Sequence, residues 1–151
     1  MVNNKENIDR WLPKNYLKDG YFYQKGNDKV IRKEYIVDFP QEIAQNLSRD
    51  KNTNKRSQIR KFYEYALRIQ VLMRRNENDY QLLEADLMRL KPFVRYAQTR
   101  GRVSELFVEF IERNLSSIHS IEDFEVFVKH FEAVIAYLKE DDKKDYNKRR
   151  K

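Results

Sequence analysis

The stretch SQIRKFYEYALRIQVLMRR, residues 57–75, decides how this chain is read. At 100° per residue, Ile59, Phe62, Tyr63, Ala66, Ile69 and Met73 gather on one side, the pattern of an amphipathic helix laid on a core. Lys61, Arg68 and Arg75 recur every seven residues on the opposite side and span about 21 Å at 1.5 Å rise per residue. Arg60 flanks that row, and Glu64 is the single acid in the stretch. A helix charged only for solubility mixes both signs, so this face asks for a negative partner.

Helical periodicity continues on both sides. Upstream, Pro40 opens a short helix in PQEIAQNLSRD, with Ile43 and Leu47 four apart. Downstream, NENDYQLLEADLMRL predicts a helix capped by Asp79 with Leu82, Leu83, Leu87 and Leu90 inside. Pro92 disfavours helix at Lys91, so a break is expected there, with Pro92 opening a new short helix that Gly101 ends. VSELFVEFIERNL buries Val103, Leu106, Phe107, Phe110 and Ile111. Ser120 and Asp123 form a capping box for IEDFEVFVKHFEAVIAYLKE, the most apolar element. Its Phe124, Phe127, Phe131 and Val134 stripe must pack centrally. The fold class is all-α: a compact bundle of about five helices over residues 40–140.

Residues 1–39 form an irregular, aromatic-rich arm with turn signals at Asp19-Gly20 and Gly26-Asn27. The expectation is an extended arm that orders only against a partner, with a small hairpin around Gly26-Asn27 as the alternative. Residues 141–151 close the chain as a basic tail expected to be solvated and disordered.

Composition narrows the class. Only 3 glycines and 3 prolines punctuate 151 residues, which favours long helices over many short strands. Cysteine is absent, so disulfides, thiolate metal sites and a cysteine nucleophile are excluded. MVNNKENIDRWLPKN holds no apolar signal core, and no run approaches the roughly 18 apolar residues of a membrane span. A soluble cytoplasmic protein with no membrane attachment is expected.

Catalytic chemistry is poorly supplied, and neither catalytic residues nor cofactor are expected. His119 and His130 stand eleven apart with no second pair to complete a metal site, and His130 reads as a surface or boundary residue. Glu122 and Asp123 read as carboxylates stabilised by the macrodipole at a helix start. There is no glycine-rich phosphate loop, and SSIHS resembles no nucleophile elbow.

The net charge of +7 is unevenly spread. Residues 51–102 carry 13 basic and 5 acidic groups, whereas residues 103–142 carry 3 and 10. The positive half offers Arg60, Lys61, Arg68 and Arg75 on one helix, then Lys91, Arg95, Arg100 and Arg102 on the next basic segment. Lysines and arginines are most simply solvated faces, but two acid-poor stripes on separate elements point to phosphate binding. Arginine's planar fork donates bidentately to phosphate, and such contacts hold a strand without reading its bases. Tyr63, Tyr65 and Tyr96 are placed to stack on bases, although tyrosine at helical spacing is more often core. A helical adaptor or dimerisation module docking an acidic partner protein is the competing reading.

The order of SQIRKFYEYALRIQ, LKPFVRYAQTRGRV, FVEFIERNL and SIEDFEVFVKHFEAVIAYLK resembles the small subunit of the type III-A CRISPR (Csm) effector complex, over residues 40–140. The resemblance implies a small, helical, non-catalytic protein of an RNA-guided antiviral defence ribonucleoprotein. It also implies stacked copies lying beside the backbone subunits that hold the guide, with the large polymerase-like subunit as a further partner. Arg60, Lys61, Lys91, Arg95, Arg100 and Arg102 would then meet the backbone of guide and target RNA. The charge split adds a means of self-stacking, acidic surface against the basic surface of the next copy.

Overall fold

A computed structural model of the chain describes residues 10–140. The basic tail expected over 141–151 and the first nine residues of the arm lie outside the described residues. Among the described residues, six α-helices follow a two-stranded hairpin and a single 3-10 turn. The helices are α1 (Asp38–Leu47), α2 (Arg56–Arg75), α3 (Tyr80–Met88), α4 (Leu90–Thr99), α5 (Glu105–Ser117) and α6 (Ile121–Tyr137). Only Arg89 separates α3 from α4, so the bundle counts about five helices if the pair is taken as one bent rod.

Local signals set most of these boundaries. The Asp79 carboxylate accepts from Leu82 N at 3.2 Å, and Ser120 Oγ accepts from Asp123 N at 3.2 Å. The returning Asp123 carboxylate accepts from His119 N at 3.0 Å, one residue before the position a capping box uses. Gly101, at φ +72°, ends α4 with two bonds: its own N–H donates to Gln98 O and Arg102 N donates to Ala97 O, both at 2.9 Å. That is a Schellman closure, and it needs the left-handed conformation glycine adopts without strain.

The break near Pro92 falls at Arg89, two residues before the expected Lys91. Pro92 thereby occupies the first turn of α4, where its missing N–H costs no helical bond, and Phe93 N donates to Arg89 O at 3.2 Å. Pro40 likewise lies in the first turn of α1, which begins at Asp38 rather than at the proline itself.

The central element is α6, packed against α1 and α2; α4 lies along α5, and α3 along α2. Phe131 is fully buried, with ring centroids of Tyr63, Phe110 and Phe127 at 5.6–5.7 Å and Phe107 at 6.1 Å. Leu83, Leu87 and Leu90 are buried as expected. Leu82 is not: it is 58% exposed, because it lies 100° around the helix from Leu83 and one face cannot hold both.

The N-terminal segment differs most from expectation. Strands β1 (Phe22–Lys25) and β2 (Asp28–Ile31) pair antiparallel around Gly26-Asn27, so the hairpin alternative is the one realised. The arm does not wait for a partner to order it: Tyr16, Tyr21 and Tyr35 are buried in the core of the same chain. Tyr21 donates to Asn114 Oδ1 at 2.7 Å, and Asn114 Nδ2 donates to Tyr16 Oη and to Phe110 O, both at 2.8 Å.

His130 completes this network and is wholly buried, not a surface or boundary residue. Its spacing of three from Phe127 and four from Val134 places it inside the apolar stripe of α6. Its ring nitrogens lie 2.7 Å from Tyr35 O and 2.6 Å from Tyr16 Oη. A carbonyl only accepts, so Nδ1 carries the proton, and Nε2 accepts the Tyr16 hydroxyl. Tyr16, Tyr21, Asn114 and His130 thus partner one another or a backbone carbonyl, which is the condition for burying them.

Candidate nucleic-acid interface

On α2, Lys61, Tyr65, Arg68, Leu72 and Arg75 follow one another at spacings of four, three, four and three. Those steps return to one side of a helix. Lys61, Arg68 and Arg75 are exposed there and make no ion pair among the described residues. Arg60 stands to the side of the row, within 3.5 Å of Glu64 in a solvent-exposed pair that holds it only weakly. Arg56, at the start of α2, is engaged elsewhere. It donates to the Ile135 and Ala136 carbonyls at the end of α6, which favours that negative helix terminus.

A second stripe runs along α4. Arg89, Phe93, Tyr96 and Arg100 are separated by four, three and four residues and share one face. The two stripes meet through Tyr65 and Phe93, whose ring centroids lie 5.4 Å apart at 89°. Arg68 lies 5.8 Å from the Tyr65 ring centre and Arg89 5.1 Å from that of Phe93, both cation–π contacts. Tyr65 donates to Asp86 O at 2.6 Å, and burial pushes its hydroxyl pKa up. One turn further along α4, Tyr96 is 64% exposed with Arg100 5.7 Å from its ring centre. The result is a continuous strip in which guanidinium groups alternate with aromatic rings.

Not every expected residue joins it. Lys91 and Arg95 fall on the opposite side of α4, facing the acidic flank of α5. Arg95 bonds Glu105 at 2.8 Å and Glu112 at 3.4 Å, and the Glu105 hydrogen bond pushes its pKa further up. Lys91 lines a cleft with Glu109, Glu112 and Arg113. Arg102 is exposed just beyond the Gly101 turn, where its carbonyl accepts from Asn54 N at 3.0 Å. Thus Arg68, Arg75, Lys61 and Arg100 gather on the strip, Arg60 and Arg102 border it, and Lys91 and Arg95 are turned toward carboxylates.

Arg89 and Phe93 were missed by sequence reasoning. Their signal was present as the spacing 89, 93, 96 and 100, obscured by the expectation that the helix broke at Lys91. Among the described residues no group of three or more His, Asp or Glu is placed to hold a metal ion, and no helix is long and apolar enough to cross a membrane.

Comparison with known proteins adds one finding. A family model described as Csm2 Type III-A matches residues 32–144, a span that contains all six helices and both basic stripes. No curated protein and no solved structure matches the chain.

Proposed function

This chain belongs to the Csm2 Type III-A family and is therefore a small subunit of a type III-A CRISPR complex; from that premise we propose that it is a non-catalytic RNA-binding member of the assembly. It holds the guide–target RNA by its phosphate backbone, on the strip formed by α2 and α4. The observation that carries this reading is the row Lys61, Arg68 and Arg75, free of ion pairs among the described residues, merging with Arg89 and Arg100 across the Tyr65–Phe93 contact. Phosphates at regular intervals match such a row, and guanidinium groups bind them bidentately. Target cutting falls to the backbone subunits and the other activities to the large subunit in this reading. Several copies stack along the RNA beside the backbone subunits, near the large polymerase-like subunit.

The basis for stacking differs from the simple charge split. Glu105 and Glu112 are paired with Arg95, and Glu109 with Arg113, within the subunit. The acids of α5 are thus partly neutralised before any neighbour arrives, leaving Glu122, Glu125 and Glu132 on α6 as acidic groups for contact between copies. Exposed pairs contribute about 0–1 kcal/mol each, so stacking relies on RNA and the backbone subunits, and the chain alone is a monomer or weak dimer.

Substituting Lys61 and Arg68 together by alanine leaves the fold intact, because both side chains are exposed. It weakens RNA binding about equally for all sequences. In a salt titration with single-stranded RNA, the log–log slope flattens by about 0.7 for each lost phosphate contact. A loss confined to one sequence, or an unchanged slope, contradicts backbone contact. Binding to one protein with indifference to RNA would establish the adaptor reading instead.

A further inference from the structure

Tyr96 is the most exposed of the large hydrophobic side chains among the described residues, and phosphate contact gives it no role. Its ring meets no other aromatic ring among the described residues. Phe93, three residues before it, is 36% exposed on the same face. Each ring is attended by an arginine: Arg100 beside Tyr96, with Nη1 3.5 Å from the hydroxyl, and Arg89 over Phe93. Burial raises the Tyr65 hydroxyl pKa most, with the Asp86 carboxylate adding to it and the charges of Arg89 and Arg68 opposing it. Flat apolar faces, open to solvent and bordered by cations, match the chemistry of an unpaired nucleotide: a base with a π-face and a phosphate beside it. A duplex presents phosphates but keeps its bases stacked on one another, so it has nothing to lay on Tyr96.

Resting on the reading that this strip binds RNA, we propose that Tyr96 and Phe93 form a stacking site for unpaired bases of single-stranded RNA. Arg89 and Arg100 hold the phosphates on either side. The subunit then distinguishes single strands from duplex without reading sequence, since every base has a face to stack. Tyr96 takes the first base because it is the more open ring; Phe93, already met edge-on by Tyr65, offers only its outer portion.

The test uses the full-length chain with a 12-nucleotide oligouridine and a fully paired 12-base-pair RNA duplex, in the same buffer. Tyr96→Leu retains apolar bulk and removes the π-face; Tyr96→Phe retains the ring. The expected result is a loss of about tenfold or more in oligouridine affinity for Tyr96→Leu. Duplex affinity and the salt slope stay unchanged, and Tyr96→Phe binds like the parent chain. Equal weakening of both RNA forms, or no weakening of oligouridine, overturns the stacking site. In the second case the phosphate-binding reading survives if the Lys61/Arg68 double variant still loses affinity; a parent chain that binds neither RNA overturns that reading itself. Unchanged affinity for both RNAs with failed assembly of the complex would assign Tyr96 to a protein contact and equally overturn the proposal.

Discussion

Truncating Phe131 to alanine lowers the stability of the chain by about 3–5 kcal/mol, the largest effect expected of a single core substitution here. The ring is fully buried at the meeting point of α2, α5 and α6, where four aromatic neighbours approach it. Two terms add: the lost transfer of a phenyl group from water, and a cavity that rigid rings close poorly. Rings on three helices cannot all move inward without breaking other contacts. The measurement is a urea unfolding midpoint at constant slope. A shift equivalent to less than about 1 kcal/mol would mean that α6 does not anchor the core.

Acid has the second large effect, through His130. Burial lowers its pKa from the usual 6.5 to about 4, against a smaller opposing pull from the Tyr35 carbonyl. The native imidazole is therefore neutral where the unfolded one takes a proton, so the unfolded state binds more protons between these values. Stability from this group is fully present above pH 6.5 and is lost as pH falls toward 4. The loss is about 2 kcal/mol by pH 5 and about 3 kcal/mol below pH 4. Protonation would also give Nε2 a hydrogen aimed at Tyr16 Oη, which already receives Asn114, and force the Tyr16 hydroxyl to seek another acceptor. Urea unfolding at pH 7.5 and pH 5 measures this. A His130→Gln variant, less stable at neutral pH, retains little of the difference; a parent chain equally stable at both values contradicts the buried neutral histidine.

That histidine also marks where sequence reasoning stopped. The long helices were legible because their signals are local: the apolar spacing of residues 59–73, the caps at Asp79 and Ser120, and the glycine stop at Gly101 all act within one or two turns. The polar network of Tyr16, Asn114 and His130 joins residues 98 and 114 apart. No short-range pattern announces such pairings, so the aromatic arm read as unattached and His130 as peripheral. The interface divides in the same way. A seven-residue repeat is enough to align Lys61, Arg68 and Arg75. A spacing of four groups Lys91 with Arg95, correctly as to side, but carries no information about which element covers that side. Glu105 and Glu112 of α5 do, and they bind Arg95. Aromatic residues posed the converse problem: Tyr65 and Tyr96 have similar helical contexts, yet one is half-buried against Phe93 and the other open to solvent.

Ultraviolet crosslinking shows whether the α2–α4 strip meets RNA inside a type III-A complex. The tagged full-length chain is purified from its own cells with whatever assembles on it, irradiated, and digested; crosslinked peptides are then mapped and the bound RNA sequenced. The expected result is repeat-derived guide RNA together with other Csm subunits, and crosslinks concentrated in peptides spanning residues 61–75 and 89–100. Crosslinks confined to the flank formed by α5 and α6, or an assembled complex whose RNA never touches this chain, would contradict it.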